Sequence, residues 1–147
     1  MSKTFSRTIL TLASPVLIGS GAAAWAMITQ QLKAEEITVP GDATRLAGKP
    51  VAGPVSAFMQ AETVAKHAQH IGGGRTFADV TGEYMAAQAN GDTEKVAELE
   101  GPRALLQQAG FTRASLMTSV LAYGVSALVM GMGVVTAATA SALRDEN

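Results

Sequence analysis

The sequence predicts a mainly α-helical membrane protein in which two transmembrane helices flank a small, mostly helical extramembrane loop domain. Three observations lead to this class. The stretches Thr8 to Leu32 and Ala114 to Leu143 contain no charged residue, and each exceeds the roughly 20 apolar residues that cross a bilayer core of about 30 Å. A mostly polar segment of about 80 residues separates them. That segment is punctuated by Gly, Pro and Asn-Gly turn signals, with apolar residues at helical spacing between them.

Residues 1–7 form an N-terminal tail carrying Lys3 and Arg7, and residues 8–32 form the first span. A cleavable signal peptide begins in the same way, and Ala22, Ala23, Ala24 and Ala26 resemble a small-residue cleavage region. The uncharged run nevertheless outlasts an apolar region of about 7–15 residues, so the span reads as retained. Residues 33–113 form the loop domain. Its first part, 34–53, is extended: Ile37 and Val39 alternate with polar residues before Pro40, Gly41 and Asp42 break the pattern. A helix is predicted over 54–71, with Pro54 in its first turn, Phe58, Ala61, Ala65 and Ala68 as its apolar stripe, and Gly72 to Gly74 as its stop. Further short helices fill 77–109. Thr76 and Asp79 open the first as a capping box with Asp in place of Glu, and Asn90, Gly91 and Asp92 end it in a turn. Thr93 to Leu99 and Pro102 to Ala109 read as two more, and Gly110 and Phe111 lead through Arg113 to the second span, 114–143, and a tail, 144–147.

The positive charges of Lys3, Arg7 and Arg144 on the short tails place the termini in the cytoplasm and the loop outside, because long loops translocate largely regardless of charge. Neither span contains an ionisable residue, which argues against a pump or ion pathway. Both are rich in small residues that allow close helix approach: Gly19, Gly21 and Ala23 in the first, and Ser115 with Ser119, Ala127 with Gly131, and Gly133 with Ala137 in the second. The net charge of −1 and the lack of a dense Lys/Arg run give nucleic acid no electrostatic hold. The absence of Cys removes disulfides, thiolate metal sites, Cys nucleophiles and c-type haem attachment.

Candidate chemistry is sparse. His67 and His70 lie three apart on the predicted 54–71 helix, on a stripe with Gln60 and Thr63, and are the weak candidates for a metal site. Two ligands fall short of the three or four that zinc requires, so Glu62 or Asp79 would have to complete the set. Gly72-Gly73-Gly74-Arg75-Thr76 invites a phosphate-loop reading, but no strand precedes it and no Gly-Lys-Ser/Thr follows. Ser56, Ser115 and Ser119 lack a nucleophile-elbow motif, and Glu94, Glu98 and Glu100 are spaced like a solvated helix face. No catalytic residue, cofactor or small-molecule substrate is indicated.

The runs Ile37-Thr38-Val39-Pro40-Gly41-Asp42-Ala43, Ala47-Gly48-Lys49-Pro50-Val51-Ala52-Gly53-Pro54, Gln60-Ala61, Lys66-His67-Ala68, Gly74-Arg75-Thr76-Phe77-Ala78, Arg113-Ala114-Ser115-Leu116-Met117-Thr118-Ser119-Val120 and Tyr123-Gly124-Val125 resemble a family of small actinobacterial two-span membrane proteins. Gly82 to Gln108 is the least similar part. Members are often labelled aromatic ring-opening dioxygenases, which implies iron and extradiol ring cleavage. That chemistry needs metal ligands and a catalytic His together, and two histidines are too few to supply them. The resemblance implies instead a non-catalytic accessory subunit of a bacterial plasma-membrane complex, such as a respiratory cytochrome bcc-aa3 supercomplex, with larger integral membrane subunits and the lipid bilayer as partners. The alternatives are a membrane-anchored periplasmic ligand-binding or sensing module using His67, His70 and Arg75, and a metal-dependent enzyme.

Overall fold

The computed structural model describes residues 3–145, with side chains described over 5–144. Four helices account for most of the described chain: α1 (Lys3–Ala34), α2 (Pro54–Ile71), α3 (Phe77–Ala89) and α4 (Thr93–Asp145). Among the described residues there is no strand, only an isolated antiparallel bridge between Thr38 and Pro50. α1 and α4 are long and apolar enough to cross a membrane, with mean hydropathy of 1.6 and 1.9 over their most apolar windows. Only 11% and 17% of those windows are buried, unlike the core helix of a soluble protein. Contacts divide the chain into two units, one of α1 with α4 from Ser119 onward and one of Ile37–Thr118.

In the first unit α1 and α4 run antiparallel along a seam of small residues. A Cβ on Gly21 would stand 2.7 Å from Met130 Cγ and 2.8 Å from the Ser126 carbonyl, and one on Gly133 would meet Ile18 Cγ1 at 2.6 Å and the Ser14 carbonyl at 3.0 Å. The backbones meet there because nothing larger than hydrogen intervenes. Ser14, Ser126 and Ala140 continue the buried line. Trp25 packs edge-on against Tyr123 with ring centroids 4.6 Å apart. The Tyr123 hydroxyl lies 2.7 Å from Thr29 Oγ1, which itself donates to the Trp25 carbonyl, so the phenol is the donor. Pro15 lies inside α1 without ending it.

In the second unit the segment before α2 folds back on itself through the bonds Val39 N–H to Lys49 O and Val51 N–H to Ile37 O, which bury both valines. The α2 start is held by Ser56, whose Oγ accepts from the Ala52 and Gly53 amides and donates to the Gly53 carbonyl. α2 buries Ala57, Gln60, Ala61 and Thr63, while Phe58, expected on the apolar stripe, is exposed. The core gathers Val80 of α3 with Leu99 and Leu106 of α4, backed by Ala68 and Tyr84.

The two short helices expected over 93–109 are instead the first part of α4, which passes through Pro102 unbroken. Leu99 and Leu106 lie two turns apart on one face, either side of the proline, and both are buried against Val80. Arg103 adds a cation–π contact, its guanidinium carbon 4.6 Å from the centre of the Tyr84 ring. This packing offsets the hydrogen bond that Pro102 cannot make.

Candidate functional site

α2 presents its histidines to solvent on its C-terminal half. His67 Nε2 donates to Asp42 Oδ2 at 2.6 Å, with the two side chains 46% and 63% exposed. That hydrogen bond is the main cause holding the Asp42 carboxyl below its ordinary pKa, with Lys66 adding a smaller favourable field. His70 shares with them a shallow hollow of about 480 Å³, lined also by Lys66 and Ile71. The third ligand considered from sequence does not come from Glu62 or Asp79. Glu62 faces Arg113 at 3.9 Å, and Asp79 is committed to the cap of α3. Among the described residues no three His, Asp or Glu side chains gather as metal ligands would. Nor do Gln60 and Thr63 extend the histidine stripe outward, since both are buried.

The glycine run closes α2. The Gly72, Gly73 and Gly74 amides donate to the Ala68, His70 and Gln69 carbonyls, so they are spent on the helix end and not aimed at an anion. Gly73 and Gly74 have φ of +59° and +82°, which glycine adopts without steric cost. Thr76 then caps α3: Asp79 N–H donates to its hydroxyl, while its own amide and hydroxyl donate to Asp79 Oδ2. The Thr76 amide is the largest cause of the lowered Asp79 pKa. Arg75 donates to Gly72 O at 3.1 Å and to Glu83 at 3.0 Å.

A larger hollow of about 520 Å³ opens between α2, the Gly74–Phe77 turn and α4. Lys66, Arg75, Arg113 and Glu62 line it over an apolar floor that includes Phe77 and Leu106. His67, His70 and Arg75, grouped from sequence as one ligand face, therefore do not converge. Arg75 lines this hollow and the histidines line the other, with Lys66 bordering both.

Of the small residues singled out from sequence, Gly21 and Gly133 lie in the α1–α4 seam and Ala137 is half-buried beside it. Gly19, Ala23, Ala127 and Gly131 are exposed, and a Cβ on Gly19 or Gly131 would meet open space. Ser115 is exposed and Ser119 half-buried. Sequence reasoning missed Asp42, Ser14, Ser126 and Ala140. The seam was detectable as a seven-residue spacing, Ser14 to Gly21 and Ser126 to Gly133 to Ala140, the period of two helices packed along their length. Nothing local links Asp42 to a histidine 25 positions away. Comparison with known protein families, curated proteins and solved structures gives no match.

Proposed function

We propose that this chain is a two-span, non-catalytic accessory subunit of a bacterial plasma-membrane complex, with cytoplasmic termini and an extracytoplasmic loop, and that a respiratory cytochrome bcc-aa3 supercomplex is the assembly it serves. The observation that carries this reading is the outer surface of α1 and α4. Leu12, Val16, Met27, Leu121, Val125, Leu128 and Val135 all face outward there, interspersed with Gly19, Ala23, Ala127 and Gly131. Large and small apolar residues alternating on a lipid-exposed face form the surface on which a neighbouring helix packs closely. The hydroxyls of Ser56 and Thr76 and the carboxylate of Asp79 serve helix ends, which supports a structural role for the loop.

Extraction in a mild detergent and identification of co-purifying proteins tests it. The expected result is a defined complex containing cytochrome subunits, lost on Gly19→Leu with Gly131→Leu while the chain stays folded. A monomer or homo-oligomer alone would overturn the reading. The 520 Å³ hollow favours a second reading, a membrane-anchored ligand-binding module. A thermal shift of the full chain with organic carboxylates, abolished by Arg113→Gln, would support that alternative.

A further inference from the structure

Between Lys49 and Glu62 the loop domain carries no charge, and residues 50–61 are mostly apolar. The stretch is too short to cross a bilayer, which takes roughly 20 residues, and its length suits a buried helix or a segment at the membrane interface. Burial accounts for one face only. Ala57 and Ala61 are fully buried, whereas Val55 and Phe58, one turn apart on the other side of α2, are 52% and 41% exposed, and Leu46 in the segment leading to α2 is 40% exposed.

The direction of α2 decides what meets that exposed face. Gly72, just past its end, packs on α4 at Leu106, where an added Cβ would stand 3.3 Å from Cδ2, and Glu62, earlier in α2, faces Arg113 at 3.9 Å. α2 therefore runs antiparallel to α4, and its turns before Glu62 point towards residues 114–118, the beginning of the second charge-free stretch and part of the same compact unit. At 1.5 Å per residue, Pro54 lies up to about 12 Å beyond the level of Arg113.

We infer that the start of α2 and the turn before it lie in the headgroup layer of the bilayer leaflet on the loop's side, with Val55 and Phe58 directed into the acyl boundary. The inference rests on the two-span reading, which puts Arg113 at the membrane surface. Interfacial helices bury their apolar face by about 5–10 Å, a depth this geometry supplies. Two further observations fit lipid as the occupant. Arg45 and Lys49 border the stretch and have no ion-pair partner among the described residues, so both can reach lipid phosphates. Pro50 and Pro54 have no N–H, and Ser56 accepts from the Ala52 and Gly53 amides, which lowers the cost of placing this backbone where water is scarce.

The chain has no Cys, so single cysteines can be spin-labelled without background. Val55→Cys, Phe58→Cys, Met85→Cys and Leu128→Cys are each labelled with a nitroxide in the full chain, at one chain per nanodisc of phosphatidylglycerol and phosphatidylcholine. Collisions with oxygen and with a water-soluble nickel chelate are then measured by EPR. Met85, 60% exposed on α3, and Leu128, 63% exposed in the second span, are the aqueous and lipid references. Labels at positions 55 and 58 are expected to follow the label at position 128, with oxygen collisions raised and chelate collisions lost. Chelate access at either position equal to that at position 85 overturns the inference, and shielding from oxygen and chelate alike overturns it in favour of protein contact. Chelate access at position 128 overturns the two-span reading and the interfacial segment with it, whereas a shielded position 128 with open positions 55 and 58 overturns the interfacial segment alone.

Discussion

The Thr76 and Asp42 sites separate two kinds of hydrogen bond. Thr76 and Asp79 exchange bonds within one turn of chain, so the cap forms with the helix. Thr76→Ala is expected to destabilise the loop domain by about 1 kcal/mol, measured by thermal unfolding of the full chain in detergent. Asp42 and His67 must be brought together by folding. Because the folded pKa of Asp42 is lowered, its pairing contributes stability at pH values above the ordinary carboxylate pKa, and that contribution is lost as pH falls through the lowered value. An NMR titration should find Asp42 ionising below the ordinary range and returning towards it in His67→Ala. An unchanged Asp42 pKa in that variant would contradict the pairing. At the seam, Gly133→Leu is expected to cost about 1–3 kcal/mol, since even a Cβ there comes within 2.6 Å of Ile18 Cγ1 and 3.0 Å of the Ser14 carbonyl on α1. Gly131→Ala, two residues earlier and facing open space, should leave the pair as stable or slightly more so.

Among the elements, α2 and α4 obey local rules to different degrees. The α2 limits follow from residues within a turn of each end: Pro54 and Ser56 at its start, and a glycine run whose amides return to its last carbonyls at its finish. α4 overrides its local signals. Gly101 and Pro102 read as a break, yet buried leucines on both sides carry the helix through. Pro102→Ala is therefore expected to stabilise the loop domain, by up to about 3 kcal/mol, through the restored amide bond, and Leu106→Ala to destabilise it by about 2–4 kcal/mol. Denaturant unfolding followed by the fluorescence of Tyr84, which packs against this core, measures both.

For the whole molecule, the decisive quantity is apolar surface. Large apolar side chains on α1 and α4 stand more than half exposed in the isolated chain, more than water tolerates. On the two-span reading proposed above, lipid or partner helices cover them. Leu128→Lys, near the middle of the second charge-free stretch and 63% exposed, is expected to lower the membrane-inserted fraction sharply, because a lysine at that depth costs about 2.5–3.5 kcal/mol on insertion scales. Glycosylation mapping of insertion would register it, and an unaffected fraction would argue that α4 does not cross the bilayer there.

Hydropathy, caps and turns are properties of neighbouring residues, so the two long apolar helices, the limits of α2 and the Thr76 cap could be read directly from the order of amino acids. The rest depends on pairings across the chain. Which glycines carry the α1–α4 contact is a matter of which side of each helix meets the other, and a four-residue spacing of small residues marks several sides at once. Tyr123 finds Thr29 across 94 residues and Asp42 finds His67 across 25, separations over which no periodic pattern holds register. Packing of Leu99 and Leu106 against Val80 likewise outweighs a local proline, because burying two leucines releases more free energy than one lost backbone hydrogen bond costs.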